Sequence, residues 1–383
     1  PMYYSQVRID PSNPDRIYVL GTQLAISDDG GRNFRNDGAV QIHVDHHALW
    51  INPNDPDHLI LGSDGGISAS WDGSAHWRMF DNIALGQFYQ VSYDMRTPYY
   101  VCGGLQDNDP WCGPSNNLSF HGIRHQDWYE VAYGDGFTTI VDPTDSTIVF
   151  SETQGGNLNR YDVVTGEKTA LRPIVGPRAE GDTTKTYRFN WHTPLVMSSH
   201  DPATIYFGSQ YMMRSRDRGV SWEEISPDLT KNIDRDTLSI MGVLGSEPMM
   251  SKNDGISTYG NLTTIAESPF DADVLYAGSD DGNVQVTRDG GATWTNVVDR
   301  IPDLAERTYV SRLVASTHEP GRVYATFDGH RNDDYAPYVY VSEDFGDSWQ
   351  PIHEGLPAES INVIIEHPRT ASLLMVGNEV GIW

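Results

Sequence analysis

Short apolar segments follow proline turns at regular intervals along the chain. Each segment is a run of β-branched or aromatic residues that ends in small residues, which is typical of a β-strand. Eight copies begin 42 to 67 residues apart, at Asp10, Asn52, Asp94, Asp142, Asp201, Ser268, Glu319 and His367. This spacing is that of the four-stranded sheets of a β-propeller, so the pattern predicts a repeat protein made of strands.

A second pattern, S/T-x-D-x-G-x-x-W/F, recurs in the modules; we call it the octapeptide. Full copies occupy 27–34, 215–222, 287–294 and 342–349, and a weaker copy occupies 70–77. A short acidic side chain accepts backbone N–H bonds in a tight turn, glycine permits positive φ, and the closing aromatic residue buries a large apolar area. We therefore predict a structural role for the aspartates of these copies, which are Asp29, Asp72, Asp217, Asp289 and Asp344.

The octapeptide is the Asp-box, and the chain resembles the BNR-repeat proteins. These include bacterial glycosyl-hydrolase-like and sortilin-like proteins and, more distantly, xyloglucanase-type hydrolases and sialidases. The phrases HVDHHALW, CGGLQDND, NIDRDTL and DGNVQVTRDGG extend the resemblance over essentially the whole chain. It implies an all-β fold, a β-propeller of four-stranded antiparallel blades with Asp-box turns. Members of this family often carry two tandem propellers.

The modules divide the chain into about seven blades and a partial eighth one. We expect the blades at 1–40, 41–82, 83–128, 129–180, 181–228, 250–300, 305–353 and, in part, 356–383, with a long inter-blade loop at 229–249. The eighth module stops before any octapeptide, which favours a segment of a longer, tandem-propeller protein. The sequence does not say whether the strands close one ring.

The repeated turns are expected to share one edge of the propeller. If the proline turn joins the first two strands of a module and the octapeptide joins the last two, antiparallel pairing puts the variable loops at the opposite edge. Aromatic and polar side chains collect there, as in a sugar-binding cleft. The predicted ligand-binding residues are Tyr89, Gln106, Asn108, Trp191, His192, Tyr259, Tyr309 and Arg331.

Glycoside hydrolysis requires a pair of carboxyl groups, one protonated and one ionised. Asp64, Asp107 and Asp135 are the candidates, because each lies in a glycine-containing turn that lets the backbone approach a ligand. Capping of their own turns is the structural alternative. Sialidase chemistry is disfavoured, since the sole RIP tripeptide, at 300–302, follows an octapeptide instead of lying on an early strand.

The segment HVDHH offers metal ligands. On an extended strand His43, Asp45 and His47 would point the same way, which would suit a transition metal. Calcium on acidic turns such as 279–283 is a second option. No nucleotide-binding or nucleophile-elbow motif is present, so no cofactor is required by the sequence.

Charge narrows the class of partner. The chain carries 26 basic and 53 acidic residues, for a formal net charge of −27, which excludes nucleic acid as a natural partner. No apolar run is long enough to span a bilayer. A signal peptide is absent or already removed, and Cys102 and Cys112 could form a disulfide in an oxidising compartment. These features favour a secreted, periplasmic or cell-surface protein.

Two functions follow from these residues and from the resemblance. The first is binding of a polysaccharide or oligosaccharide at the edge opposite the octapeptides, with hydrolysis as a further option. The alternative is a non-enzymatic, sortilin-like scaffold that binds a peptide or a partner protein. A carboxyl pair beside an aromatic platform would favour the enzyme, whereas carboxyl groups each engaged in a separate turn would favour the scaffold.

Overall fold

The structure, a computed structural model, describes residues 4–83, 85–174, 186–240, 242–249, 252 and 258–383. The chain divides into two compact units. The first comprises 1–87 and 105–108, and the second comprises 88–104 and 109–383.

The first unit contains two antiparallel sheets, numbered I and II. Sheet I contains β1 (Val7–Ile9), β2 (Ile17–Val19) and β3 (Ala25–Ser27), and sheet II contains β4 (His46–Ile51), β5 (Leu59–Ser63), β6 (Gly66–Ser70) and β7 (Arg78–Met79). Strands consecutive in sequence are paired. The two sheets share a core that includes Tyr18, Leu24, Leu59 and Leu61, all fully buried.

The described residues of the second unit form six further antiparallel sheets, numbered III to VIII. Sheets III to V contain β8 (Phe88–Tyr93), β9 (Tyr100–Leu105), β10 (Pro110–Pro114), β11 (Tyr129–Glu130), β12 (Gly136–Val141), β13 (Ile148–Thr153), β14 (Asn157–Asp162), β15 (Lys168–Ala170), β16 (Leu195–Met197), β17 (Ile205–Gly208), β18 (Met212–Ser215) and β19 (Glu223–Glu224). A hairpin follows, formed by β20 (Ser239–Ile240) and β21 (Val243–Leu244).

The last three sheets continue the same order. They contain β22 (Leu262–Ser268), β23 (Asp271–Ser279), β24 (Val284–Thr287), β25 (Thr295–Asn296), β26 (Tyr309–Ala315), β27 (Val323–Asp328), β28 (Val339–Ser342), β29 (Gln350–Pro351), β30 (Ile361–Glu366), β31 (Leu374–Asn378) and β32 (Gly381–Ile382). Short 3-10 helices lie at His125–Asp127, Arg235–Thr237, Val298–Arg300 and His330–Asn332. No helix of the described residues is long and apolar enough to cross a bilayer.

Successive sheets of the second unit pack face to face through apolar clusters. Phe150 and Phe207 lie in the cluster between sheets IV and V, and Tyr276 and Phe327 lie in the cluster between sheets VI and VII. Similar clusters join III with IV, V with VI and VII with VIII. Sheets that are built from consecutive strands and stacked in chain order are the architecture of a propeller. The predicted fold class, an all-β propeller of four-stranded antiparallel blades, is confirmed.

In sheets II, V, VI and VII the octapeptides join the third and fourth strands, and in sheet I the octapeptide follows the third and last strand. Each of their aspartates accepts a hydroxyl hydrogen bond from the residue two positions earlier and a backbone N–H bond from the residue four positions later. In sheet V such bonds, led by that of the Ser221 hydroxyl, lower the pKa of Asp217 to about 2. The closing Trp222 donates its indole N–H to the carbonyl of Leu171, 2.9 Å away, and so connects sheet V to the chain beyond sheet IV.

Two carboxylates connect neighbouring sheets on the same edge as the octapeptides. Glu366, at the end of β30, is 4% exposed and accepts bonds from Ser316, from Thr317 and from the Tyr324 hydroxyl of sheet VII. Glu267, at the equivalent position of β22, accepts bonds from the two serines that follow β16. Hydrogen bonds between neighbouring sheets therefore stabilise this edge of the second unit.

The two cysteines are bonded to each other. Cys102 of β9 and Cys112 of β10 face each other as a cross-strand pair, and both are fully buried. The disulfide therefore connects two adjacent strands of sheet III. The sequence alone allowed this bond but did not establish it.

Candidate functional site

The edge opposite the octapeptides carries the variable segments of the second unit; we call it the loop edge. It consists of the starts of β8, β12, β16, β22 and β26 and of the turns between the second and third strands of each sheet. These segments carry Tyr89, His192, Tyr259 and Tyr309 from the sequence prediction.

A stack of three rings lies on the loop edge. The ring centroids of Tyr89 and Phe137 are 4.4 Å apart, and those of Phe137 and His192 are 4.9 Å apart with an interplanar angle of 8°. The Thr138 hydroxyl donates to Gln90 Oε1 at 2.7 Å. Because Tyr89 is 37% exposed, the stack presents a ring to solvent beside polar groups.

His192 is a neutral imidazole. Burial, assisted by the positive charge of Arg312, lowers its pKa to about 3. Its Nε2 lies 3.4 Å from the Thr138 hydroxyl. An uncharged imidazole packs on Phe137 without the cost of burying a cation, so His192 serves as the third ring of the stack.

Trp191 immediately precedes His192 in the chain. Its side chain is 46% exposed, and its backbone carbonyl accepts the N–H of Gly155 at 3.0 Å. The backbone is therefore held by the turn of sheet IV, while much of the indole surface is accessible to a ligand.

A β-bulge shapes the start of β26. Tyr309 is opposite Asp328 and Arg312 is opposite Thr326, so Ser311 is the extra residue. Cross-strand partners point the same way, and Asp328 and Thr326 are two positions apart. The bulge thus directs Tyr309 and Arg312 to the same face, where regular alternation would separate them.

Tyr309 lies between charged groups. The Arg331 guanidinium lies over its ring, 4.6 Å from the centroid, and donates to Asp328 Oδ2 at 3.3 Å. Asp328 also accepts from the backbone N–H of His330 at 3.0 Å and lies 2.5 Å from its Nδ1. Burial raises the pKa of Tyr309 to about 12, so its hydroxyl stays protonated and can donate.

Two adjacent carboxyl groups are held beneath Tyr259. Asp280 accepts the N–H groups of Gly260 and Asn261 at 3.0 and 2.8 Å, yet burial raises its pKa to about 7. Asp281 accepts a hydroxyl and a backbone N–H at 2.6 and 2.8 Å. Burial and then the charges of these two aspartates raise the pKa of Tyr259 to about 12.

Glu152, in the turn of sheet IV, is fully buried. It accepts the backbone N–H of Thr193 at 3.2 Å, and burial raises its pKa well above the ordinary value. This carboxyl group fixes the chain just after His192. It is a structural acid without access to solvent.

Four of the predicted catalytic and ligand-binding residues, Asp64, Gln106, Asp107 and Asn108, belong to the first unit. Asp64 lies 2.8 Å from His47 Nε2, and Asn108 donates from Nδ2 to the carbonyls of Asp64 and Gln106, at 3.0 Å each. Asp107 has a left-handed backbone with φ of 60°. These residues form one local cluster.

Asp135 belongs to the second unit, where its carbonyl accepts the N–H of Gln154 at 3.0 Å. The three predicted catalytic carboxylates are therefore divided between the units. Within the second unit the buried carboxyl groups on the loop edge each hold a turn or a strand.

The prediction of an extended strand through residues 43–47 is wrong. Strand β4 begins only at His46, and Asp45 has a left-handed backbone with φ of 62°, which interrupts the alternation. Asp45 accepts a hydrogen bond from Tyr4, and His47 contacts Asp64. Among the described residues no group of three or more histidine, cysteine or acidic side chains has a geometry that could hold a metal ion.

Arg312 was missed from the sequence, although a signal was present. Its module reads YVSRLVA where the neighbouring first strands read LTTIAES and INVIIE. Aligned on the buried residues Leu313, Ile265 and Ile364, Arg312 occupies the position of Thr264 and Val363. A charged residue at a position that is otherwise small or apolar marks a departure from the repeat.

No protein-family model matches the chain, and no curated protein matches it. The chain is similar to a solved GH74 enzyme of Niastella koreensis, with 12% identity over 97% of this chain and 70% of that one and a TM-score of 0.26. It is also similar to the β-propeller domain of Cps50 (Swd1) of Myceliophteria thermophila, with 14% identity, coverage of 88% and 96%, and a TM-score of 0.49. A third similar structure is Sqt1 of Saccharomyces cerevisiae, with 11% identity over 98% of this chain and 93% of that one and a TM-score of 0.47. At these scores the fold rests on the strand order and pairing described above.

Proposed function

We propose that the loop edge of the second unit binds a saccharide without hydrolysing it. The observation that carries this proposal is the exposed ring of Tyr89, which is held in place by its stack on Phe137 and His192, together with the exposed indole of Trp191. Apolar ring faces stack on sugar rings, and nearby polar groups such as Thr138 and Gln90 bind hydroxyls.

Binding is favoured over hydrolysis by the state of the carboxyl groups. A glycosidase needs one carboxylic acid and one carboxylate about 5 to 9.5 Å apart, both facing the substrate. In the second unit Asp280, Asp328 and Glu152 are each engaged in holding a turn or a neighbouring strand. Catalysis by Asp64, Asp107 and Asp135 stays a prediction.

A scaffold that binds a peptide or partner protein is the second candidate. Carboxyl groups that are engaged in holding turns and strands favour this scaffold as much as they favour saccharide binding. The net charge of −27 would suit a basic peptide. The exposed rings of Tyr89 and Trp191 favour the saccharide, because the apolar faces of sugar rings stack on aromatic side chains. For either ligand the disulfide supports a secreted, periplasmic or cell-surface location.

The experiment is a titration of the purified protein with a panel of polysaccharides and oligosaccharides, read by calorimetry and by release of reducing ends. We expect binding without release. Trp191→Ala should weaken binding about tenfold, the effect of losing roughly 1.4 kcal/mol of stacking. Phe270→Ala is the matched control, since Phe270 is 47% exposed and lies in a proline turn at the opposite edge.

Three results would contradict the proposal. If no glycan binds, the ligand is not a saccharide. If Trp191→Ala and Phe270→Ala lose the same amount of affinity, the ligand does not bind at the loop edge. If reducing ends are released, the protein hydrolyses the saccharide as well as binding it.

A further inference from the structure

Arg312 is a cation that has no partner among the described residues. It lies on β26 and is half-buried, and its guanidinium makes no hydrogen bond or ion pair with any described residue. Its Nε is buried without an acceptor, and burial lowers its pKa. Taking a cation out of water without a counter-charge destabilises a fold, so such a residue calls for an explanation.

The repeat shows that the position itself does not require arginine. Thr264 and Thr139 occupy the equivalent positions of β22 and β12. Thr264 accepts the backbone N–H of Leu313 at 3.1 Å, and the Thr139 hydroxyl lies 3.0 Å from that of Ser151. A small hydroxyl residue is thus sufficient for packing, and the arginine is an addition to the module.

The bulge of β26 directs Arg312 to the face of Tyr309, and its charge acts on His192. The acidic groups around Tyr309 are already engaged. Asp328 is bound by His330 and Arg331, and Asp280 is held by N–H donors. The guanidinium therefore lies on the face of Tyr309, close enough for its charge to act on His192, and makes no hydrogen bond to a described residue.

We propose that Arg312 binds the carboxylate of an acidic sugar, so that the saccharide of the loop edge contains uronic acid residues. This inference rests on the proposed function and specifies its ligand. A guanidinium presents a planar fork of N–H donors that matches a carboxylate. A uronic acid combines such a carboxylate with a sugar ring that can stack on the exposed ring of Tyr89.

The test compares an oligouronate with its neutral counterpart of the same linkage and length, by calorimetry on the full chain. We expect the wild type to bind the oligouronate more tightly. Arg312→Gln should weaken oligouronate binding about 10- to 100-fold, the value of a charge-assisted hydrogen bond, and leave the neutral counterpart unaffected. Arg312→Lys keeps the charge but not the fork, so we expect an intermediate loss.

Arg300→Gln is the matched control, because Arg300 pairs with Asp347 at 2.6 Å in an octapeptide turn of the opposite edge. It should bind both saccharides like the wild type. If the oligouronate binds no better than the neutral counterpart, or if Arg312→Gln and Arg312→Lys both bind it normally, the inference is wrong and the proposed function stands. If neither saccharide binds, or if only acidic peptides bind, the inference and the proposed function are both wrong.

Discussion

Replacement of His192 by phenylalanine should make the protein less sensitive to mild acid. The imidazole packs on Phe137 at 4.9 Å with its pKa lowered to about 3 by burial and by Arg312, against about 6.5 in the unfolded chain. Below about pH 6.5 the unfolded state therefore takes up a proton that the folded state does not. The free energy of unfolding falls as the pH falls, and His192 contributes to that loss.

The magnitude follows from the two pKa values. Between about pH 7 and pH 5 the unfolded imidazole becomes almost fully protonated while the folded one stays neutral, which costs the folded state about 2 kcal/mol. This amount depends little on the exact folded pKa, as long as it lies well below 5. Phenylalanine keeps the ring stack and removes the titration, so His192→Phe should lose about 2 kcal/mol less than the wild type.

The assay is urea denaturation of both proteins at the two pH values, with the imidazole pKa of His192 read by NMR. His121→Phe is the control, because His121 is exposed in the same unit. We expect its denaturation midpoints to follow the wild type. Parallel stability curves for wild type and His192→Phe, or an imidazole that titrates near pH 6.5, would refute the reasoning.

The connections between strands and sheets give two more predictions. Glu366→Gln should destabilise the second unit by about 2 kcal/mol, because an amide NH2 would then face donors such as the Thr317 N–H, which lies 2.7 Å from the carboxylate. Glu343→Gln, at an exposed ion pair, should have little effect on the same thermal melts. Joint replacement of Cys102 and Cys112 by alanine should lower the free energy of unfolding by about 3 kcal/mol, because the bond closes a short loop in the unfolded chain. The loss would be measured as a lower urea midpoint, and an unchanged midpoint would contradict the bond.

The parts of the fold that could be predicted are those encoded within one module. The octapeptide bonds of Asp217 connect residues no more than four positions apart, so a sequence pattern contains the whole turn. The strand through His43–His47 failed because a single left-handed residue, Asp45, interrupts an alternation that the sequence shows as regular. A local pattern carries no information about such an interruption.

The candidate site depends on contacts between modules, which spacing does not encode. Tyr89 and His192 were predicted separately, and only packing places Phe137 between them. Asp64, Asp107 and Asp135 were candidates for a carboxyl pair because each lies in a glycine-containing turn, and Asp135 belongs to a different unit from the other two. Similar modules give similar local structure, whereas the chemistry comes from residues such as Arg312, at which one module departs from the others.

The net charge of −27 opposes an acidic ligand only if the charge is taken as uniform over the surface. In the second unit the octapeptide aspartates lie on one edge, while Asp280 and Asp328 of the loop edge are bound by N–H groups and by Arg331. At physiological ionic strength charges are screened beyond about 8 Å, so affinity is set by the groups that touch the ligand. The overall charge then governs the rate at which an acidic saccharide approaches, while the unpaired guanidinium of Arg312 governs how long it stays bound.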